Sequence, residues 1–175
     1  MKAQAIALIG GKKVGKTTTG EKLTAELVRR GFKVAAIKHI SEPDFSIDSP
    51  GKDTWRYAEA GARTIIAVSP NEIVTIEKNG ASKIRLDSLL KKCSDHDIVF
   101  IEGLKDAVAK NDDIPKIAVT TTREQAERAL HLYKPILAFT GPYDTESLNV
   151  NVPYADAMKN PDRLADIIEK TLSKK

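Results

Sequence analysis

The sequence predicts an α/β fold, a mostly parallel, doubly wound sheet with an antiparallel β extension. Three observations lead there. Short apolar runs alternate with segments of helical periodicity, and the first run ends in a glycine-rich loop that opens a helix. Between residues 64 and 86 the alternation is broken by β-like runs joined through turn dipeptides.

Residues 5–9 (AIALI) form a continuous apolar run before Gly10 and Gly11, the mark of a strand buried on both faces of a parallel sheet. From Lys16 to Arg30 the apolar positions Leu23, Leu27 and Val28 recur at helical spacing, and Gly31 is placed to cap the carboxyl end. Residues 33–38 (KVAAIK) read as the second strand. His39 to Lys52 is too long for an ordinary connection, which makes it a candidate functional loop holding Asp44 and Asp48. Asp53 to Ala60 reads as a short helix, with Asp53 either its N-cap or a functional residue.

The β-like runs are 64–69, 72–78 and 82–86, joined through Pro70-Asn71 and through Asn79-Gly80, a two-residue hairpin signal. Both faces of 65–76 carry Ile or Val, so this meander is expected to pack on the body of the protein or on a second subunit. A short helix near 87–93, a strand at 98–101 (IVFI) and another at 116–120 resume the alternation. Thr122 and Gln125 have capping-box spacing before a helix through Leu130, and 135–139 (PILAF) is the last strand. The final helix begins at Asn160 with Pro161 in its first turn, and Leu164, Ile167, Ile168 and Leu172 form its buried stripe. Lys170, Lys174 and Lys175 read as solvated charges at its negative end.

Composition narrows the function classes. At 175 residues, 41% hydrophobic and 30% charged, the chain reads as one domain, 1–175, with the meander at about 64–86 as an insertion. The single Cys93 cannot form an internal disulfide and lacks Cys or His neighbours at metal-ligand spacing, which points to a reducing compartment. No segment approaches the roughly 18 apolar residues that cross a bilayer, so a cytoplasmic protein is expected. The net charge of +4 is spread among acids without interleaved aromatics, which argues against nucleic acid.

Residues 10–17 read GGKKVGKT and satisfy the pattern G-x4-G-K-S/T between a buried strand and a helix. Gly10, Gly11, Lys12, Lys13, Val14, Gly15, Lys16, Thr17 and the adjoining Thr18 are therefore the candidate phosphate-contacting residues of a nucleoside triphosphate site. Lys16 would reach the β- and γ-phosphates, and the Thr17 hydroxyl would ligate magnesium.

Parallel strands collect ligands at their carboxyl ends, which separates the two acids of DIVFIEG. Asp97 begins the strand and Glu102 ends it, about 16 Å away. Glu102 is thus the candidate for binding magnesium through water or for orienting an attacking water, and with Lys16 it is the catalytic candidate. Asp48 is the metal-side candidate of the 39–52 loop, with Lys52 and Asp53 beside it, while His39 and Trp55 read as ordinary polar and packing residues.

Taken together, GGKKVGKTT, IKH, DFSIDSPGKDTWRYAEAGA and DIVFIEGLK resemble the MobB family, accessory proteins of molybdopterin-guanine dinucleotide biosynthesis, over about the first 105 residues. The resemblance implies a three-layer P-loop NTPase fold, GTP bound with Mg2+, and slow hydrolysis at most. It also implies a homodimer formed through a β extension and cooperation with the MobA-like nucleotidyltransferase that attaches GMP to the molybdenum cofactor. Carried onto this chain, Gly15, Lys16 and Thr17 would hold phosphate and metal, Glu102 would lie at the metal, and Asp48, Lys52 and Asp53 would form the neighbouring loop.

The sequence departs from that pattern at ISEP after Lys38-His39, where members often carry further histidines. No N/T-K-x-D guanine reader is present, and Thr120 to Thr122 and TGPYD at 140–144 are both open as base-reading loops. The alternatives are an ATP-dependent ligase or small-molecule kinase, with Lys12 and Lys105 on an acidic substrate, and a non-catalytic binding module.

Overall fold

The computed structural model describes residues 3–78, 85–109 and 111–172. The expected Asn79-Gly80 turn, most of the 82–86 run and the final lysines Lys174 and Lys175 lie outside the described residues. In chain order the elements are β1 (Gln4–Ile9), α1 (Lys16–Arg29), β2 (Val34–Lys38), α2 (Asp53–Glu59), β3 (Thr64–Val68), β4 (Ile73–Glu77) and α3 (Leu86–Lys92). They continue with β5 (Ile98–Glu102), α4 (Lys105–Ala109), β6 (Lys116–Val119), α5 (Arg123–Leu132), β7 (Ile136–Thr140) and α6 (Pro161–Leu172).

The chain divides into two compact units, Met1–His39 with Leu86–Lys175, and Ile40–Arg85. In the first, five strands form a sheet in the order β2-β5-β1-β6-β7, and every pairing is parallel. All five carboxyl ends therefore share one edge, and the strand order reverses at β1, so the crevice beyond β1 is where such a sheet takes its ligand.

Strand alternation divides the apolar residues of β1 between two cores. Ile6 and Leu8 meet Leu23 and Leu27 of α1 and Leu164, Ala165 and Ile168 of α6. On the opposite face Ala5, Ala7 and Ile9 cluster with Val108 of α4, Ala126 and Ala129 of α5, and Leu86 and Leu90 of α3. This is the expected three-layer α/β architecture, and each fully buried aliphatic side chain contributes about 1.5–3 kcal/mol.

A polar clasp joins α1 to α6. The Arg30 guanidinium donates to Glu26 at 2.6 Å, Asp166 at 2.7 Å, Glu169 at 2.8 Å and the Asp162 carbonyl at 3.0 Å. Hydrogen bonds from Arg29 and then Arg30 hold the Glu26 carboxyl down at about 2.

Some elements differ from expectation. The apolar stripe of α1 is narrower than the spacing suggested, because Val28 is 54% exposed while Leu23 and Leu27 are fully buried. Leu86 opens α3 instead of ending a strand, and α4 is a helix that the sequence did not announce. Thr122 does cap α5, its Oγ1 accepting from the Gln125 N–H at 3.4 Å.

In the second unit β3 and β4 form an antiparallel ribbon in the register Ile65↔Ile76 and Val68↔Ile73. Ile65 is buried, whereas Ile66, Val68 and Ile73 are 62%, 74% and 71% exposed. The register places these three together on the other face, an apolar surface left open to solvent.

Candidate functional site

The site begins where β1 runs out. Gly10 has φ +149° and lies so close to β6 that a Cβ would sit 2.5 Å from the Val119 carbonyl oxygen, so this position admits only glycine. Lys13 and Gly15 take left-handed φ values of 58° and 96°, backbone of the kind that curls amides into an anion-binding concavity. Gly15 is the N-cap of α1, no side chain caps the helix, and its first turn holds no acid. The positive end of α1, starting at Lys16, Thr17 and Thr18, thus keeps its free amides for an incoming anion. Lys12 and Lys13 are exposed and Val14 is half-buried.

Lys16 donates from Nζ to the Gly11 carbonyl oxygen, so its ammonium lies across the loop it belongs to. Burial lowers its pKa, the attraction of Glu102 opposes this, and the like charges of Lys105 and Lys38 lower it further.

Strand register assembles the rest. Leu8 of β1 and Lys38 of β2 are both paired with Glu102 of β5, so the three strands end level with one another beneath the loop. The Thr17 hydroxyl donates to Glu102, at 2.9 Å from Oε2 and 3.1 Å from Oε1. The Lys38 ammonium pairs with Glu102 Oε1 and lies 3.5 Å from Thr17 Oγ1. Gly103 (φ +95°) lets the chain leave this corner, since a Cβ there would come within 2.6 Å of His39 Cβ. Lys38 is the member that sequence reading left without a role, because its place beside Glu102 is set by the pairing of β2 with β5.

This corner suits magnesium. A hydroxyl and a carboxylate are hard oxygen donors, and the Lys38 ammonium between them already marks a cation position. Among the described residues no group of three or more His, Cys, Asp or Glu could hold a metal by themselves.

Asp48, Lys52 and Asp53 belong to the Ile40–Arg85 unit. Asp48 Oδ1 accepts from the Ser49 N–H at 3.0 Å and the Thr54 hydroxyl at 2.9 Å. Its Oδ2 is buried without a partner among the described residues. Asp53 does not cap α2. Lys52 holds the N-cap position with extended backbone, and Asp53 lies within the first turn, 3.5 Å from Arg56. The loops at 120–122 and 140–144, the two candidates for reading a base, sit side by side, the Tyr143 N–H donating to the Thr120 carbonyl at 3.3 Å. Within them the Thr121 hydroxyl donates to Gln125 at 3.1 Å, and the Asp144 carboxylate accepts from the Glu146 N–H at 2.9 Å.

The family model for molybdopterin guanine dinucleotide synthesis protein B (MobB) matches residues 5–141. A molybdopterin-guanine dinucleotide biosynthesis adapter protein of Haemophilus influenzae is 31% identical over 95% of this chain and 88% of its own length. A relative from Methanocaldococcus jannaschii is 34% identical over 70% of this chain, which spans about half (49%) of that protein. A crystal structure of molybdopterin-guanine biosynthesis protein B superposes with a TM-score of 0.74 at 23% identity, covering 97% of this chain and 99% of that one, a likeness of fold. No helix among the described residues is long and apolar enough to cross a membrane.

Proposed function

The chain belongs to the molybdopterin guanine dinucleotide synthesis protein B (MobB) family, and from that premise we propose that it is a cytoplasmic GTP-binding adapter in the biosynthesis of the molybdenum cofactor's guanine dinucleotide form. It takes Mg2+ with the nucleotide, hydrolyses it slowly at most, and serves a MobA-like nucleotidyltransferase that attaches GMP. The observation that carries this reading is the Thr17–Glu102–Lys38 corner beneath an uncapped helix amino terminus, with Lys16 lying across the loop.

Each residue has a task. The free amides of Gly11 to Thr17 receive the phosphate oxygens, and Lys16 leaves the Gly11 carbonyl to balance the terminal phosphates. Thr17 and Glu102 would hold the magnesium ion, which on binding supplies charge neutralisation at the β- and γ-phosphates. Lys38, displaced from between them, turns to the same phosphates. In the Ile40–Arg85 unit, Asp48 is the acid with a buried oxygen to offer a cation or donor, while Lys52 and Asp53 are exposed.

The expected result of titrating GTP and ATP with magnesium is a preference for GTP of about tenfold or more, about 1.4 kcal/mol. Equal affinities, or a preference for ATP, would reject the guanine assignment and leave the phosphate site standing.

The open face of the β3–β4 ribbon supports a homodimer, since an apolar face on an exposed ribbon invites a second copy. Replacing Ile66 and Val68 together by lysine should raise the dimer dissociation constant by about tenfold or more in sedimentation equilibrium. An unchanged dimer would move the interface elsewhere, and a monomeric native protein would remove it.

A further inference from the structure

We propose that the chain carries a second ligand pocket, beside the amino-terminal half of the phosphate loop, for a small organic phosphate ester with a flat apolar body. A cavity of about 360 Å³ lies between the ends of β1 and β6 and the helix α5, a volume within the range of small-molecule sites. It is bounded by Gly10 and Gly11 at the start of the loop and by Lys105, Thr120, Arg128, Leu132 and Tyr133. Its origin is legible in the packing: Ala118 on β6 and Ala129 on α5 also line it, and their methyl groups leave unfilled the space a larger pair would take. The Thr17, Lys38 and Glu102 corner lies instead at the ends of β2 and β5, so the two sites flank the loop from different strands.

The polar groups of the cavity are all able to donate. Lys105 and Arg128 are exposed cations with no ion pair or hydrogen bond among the described residues. The Gln125 amide accepts from Thr121 through its oxygen and keeps its NH2 free. Thr120 is 1% exposed, and its buried hydroxyl has no partner among the described residues, an arrangement that costs folding free energy. These donors, with no acidic lining residue beside them, call for an anion, and two of them are exposed cations suited to a phosphate. Leu132, Ala129 and the half-buried Tyr133 ring form an apolar wall that inorganic phosphate cannot use. The inference stands on the cavity and does not require the nucleotide reading.

The test uses phenyl phosphate, inorganic phosphate and benzyl alcohol, titrated into the full chain while backbone amide resonances are followed. Phenyl phosphate should give saturable shifts around Thr120, Arg128 and Tyr133 in the native protein and equally in Lys16→Ala. Arg128→Glu should weaken it by about tenfold or more while leaving magnesium-GTP affinity within about twofold. Inorganic phosphate should bind the pocket about tenfold more weakly, and benzyl alcohol should not saturate. Phenyl phosphate that is lost in Lys16→Ala and retained in Arg128→Glu would place it in the phosphate loop and overturn the proposal. So would the absence of saturable binding, or inorganic phosphate binding equally well. A failure of the nucleotide reading looks different, as absent GTP binding with the phenyl phosphate response intact.

Discussion

Lys16→Ala is expected to weaken triphosphate binding by about 100- to 1000-fold and diphosphate binding by about tenfold less, measured by calorimetry with magnesium present. A charge-assisted hydrogen bond contributes about 1.5–3 kcal/mol, and Lys16 is assigned to two phosphate groups, of which the terminal one is missing from a diphosphate. The native contact to the Gly11 carbonyl shows that the ammonium can already reach the start of the loop, so binding needs only a short swing of the side chain. Loss of equal size for both nucleotides would reject the assignment to the terminal phosphate.

The same side chain sets a pH dependence. The Lys16 pKa lies below its ordinary 10.5, chiefly through burial, with Lys105 and Lys38 adding to the effect against the pull of Glu102. Bound phosphates favour the charged ammonium, so the complex takes up a proton wherever the free protein has lost one. Triphosphate affinity therefore falls as pH rises through the lowered value, earlier than for an unperturbed lysine. This alkaline limb should vanish in Lys16→Ala.

Much of this candidate site was legible in the chain because its determinants are local. Strand, loop and helix are contiguous from Ala5 to Arg29, and a single pattern reports all three. Glu102 was separable from Asp97 because position along a parallel strand decides which edge a carboxylate reaches, and the structure brings Glu102, not Asp97, to Thr17. Lys38 escaped for the opposite reason. Its pairing with Glu102 depends on β2 and β5 being neighbours in register, a property of tertiary order that neither segment states alone. The five-residue α4 is too short to show periodicity, and Val28 continued a helical spacing on a face that nothing covers. Asp53 was offered a cap by residue type, yet the helix started one residue earlier and left it in the first turn, where an acid still favours the positive end. The pocket beside α5 was illegible because it is made by two alanines from distant segments and by a threonine hydroxyl left without a partner.

Glu102→Gln should raise the magnesium concentration needed for half-maximal triphosphate binding by about 10- to 100-fold, the usual cost of losing a group that orients a metal ligand. The amide keeps the shape of the carboxylate and can still accept from Thr17 through its oxygen, so the fold should be retained; the native side chain is 15% exposed at the end of β5. What disappears is the charge that balances both Lys38 and the dication. Without it Lys38 is released to the phosphates, and one negative charge near the polyphosphate is gone. Metal-free triphosphate affinity should accordingly hold or rise while the magnesium response weakens. That opposition distinguishes a metal-side carboxylate from a merely structural one, whose removal would weaken both together. A magnesium titration identical to that of the native protein would remove Glu102 from the metal site, and would leave its contacts with Thr17 and Lys38 as a brace for the strand ends.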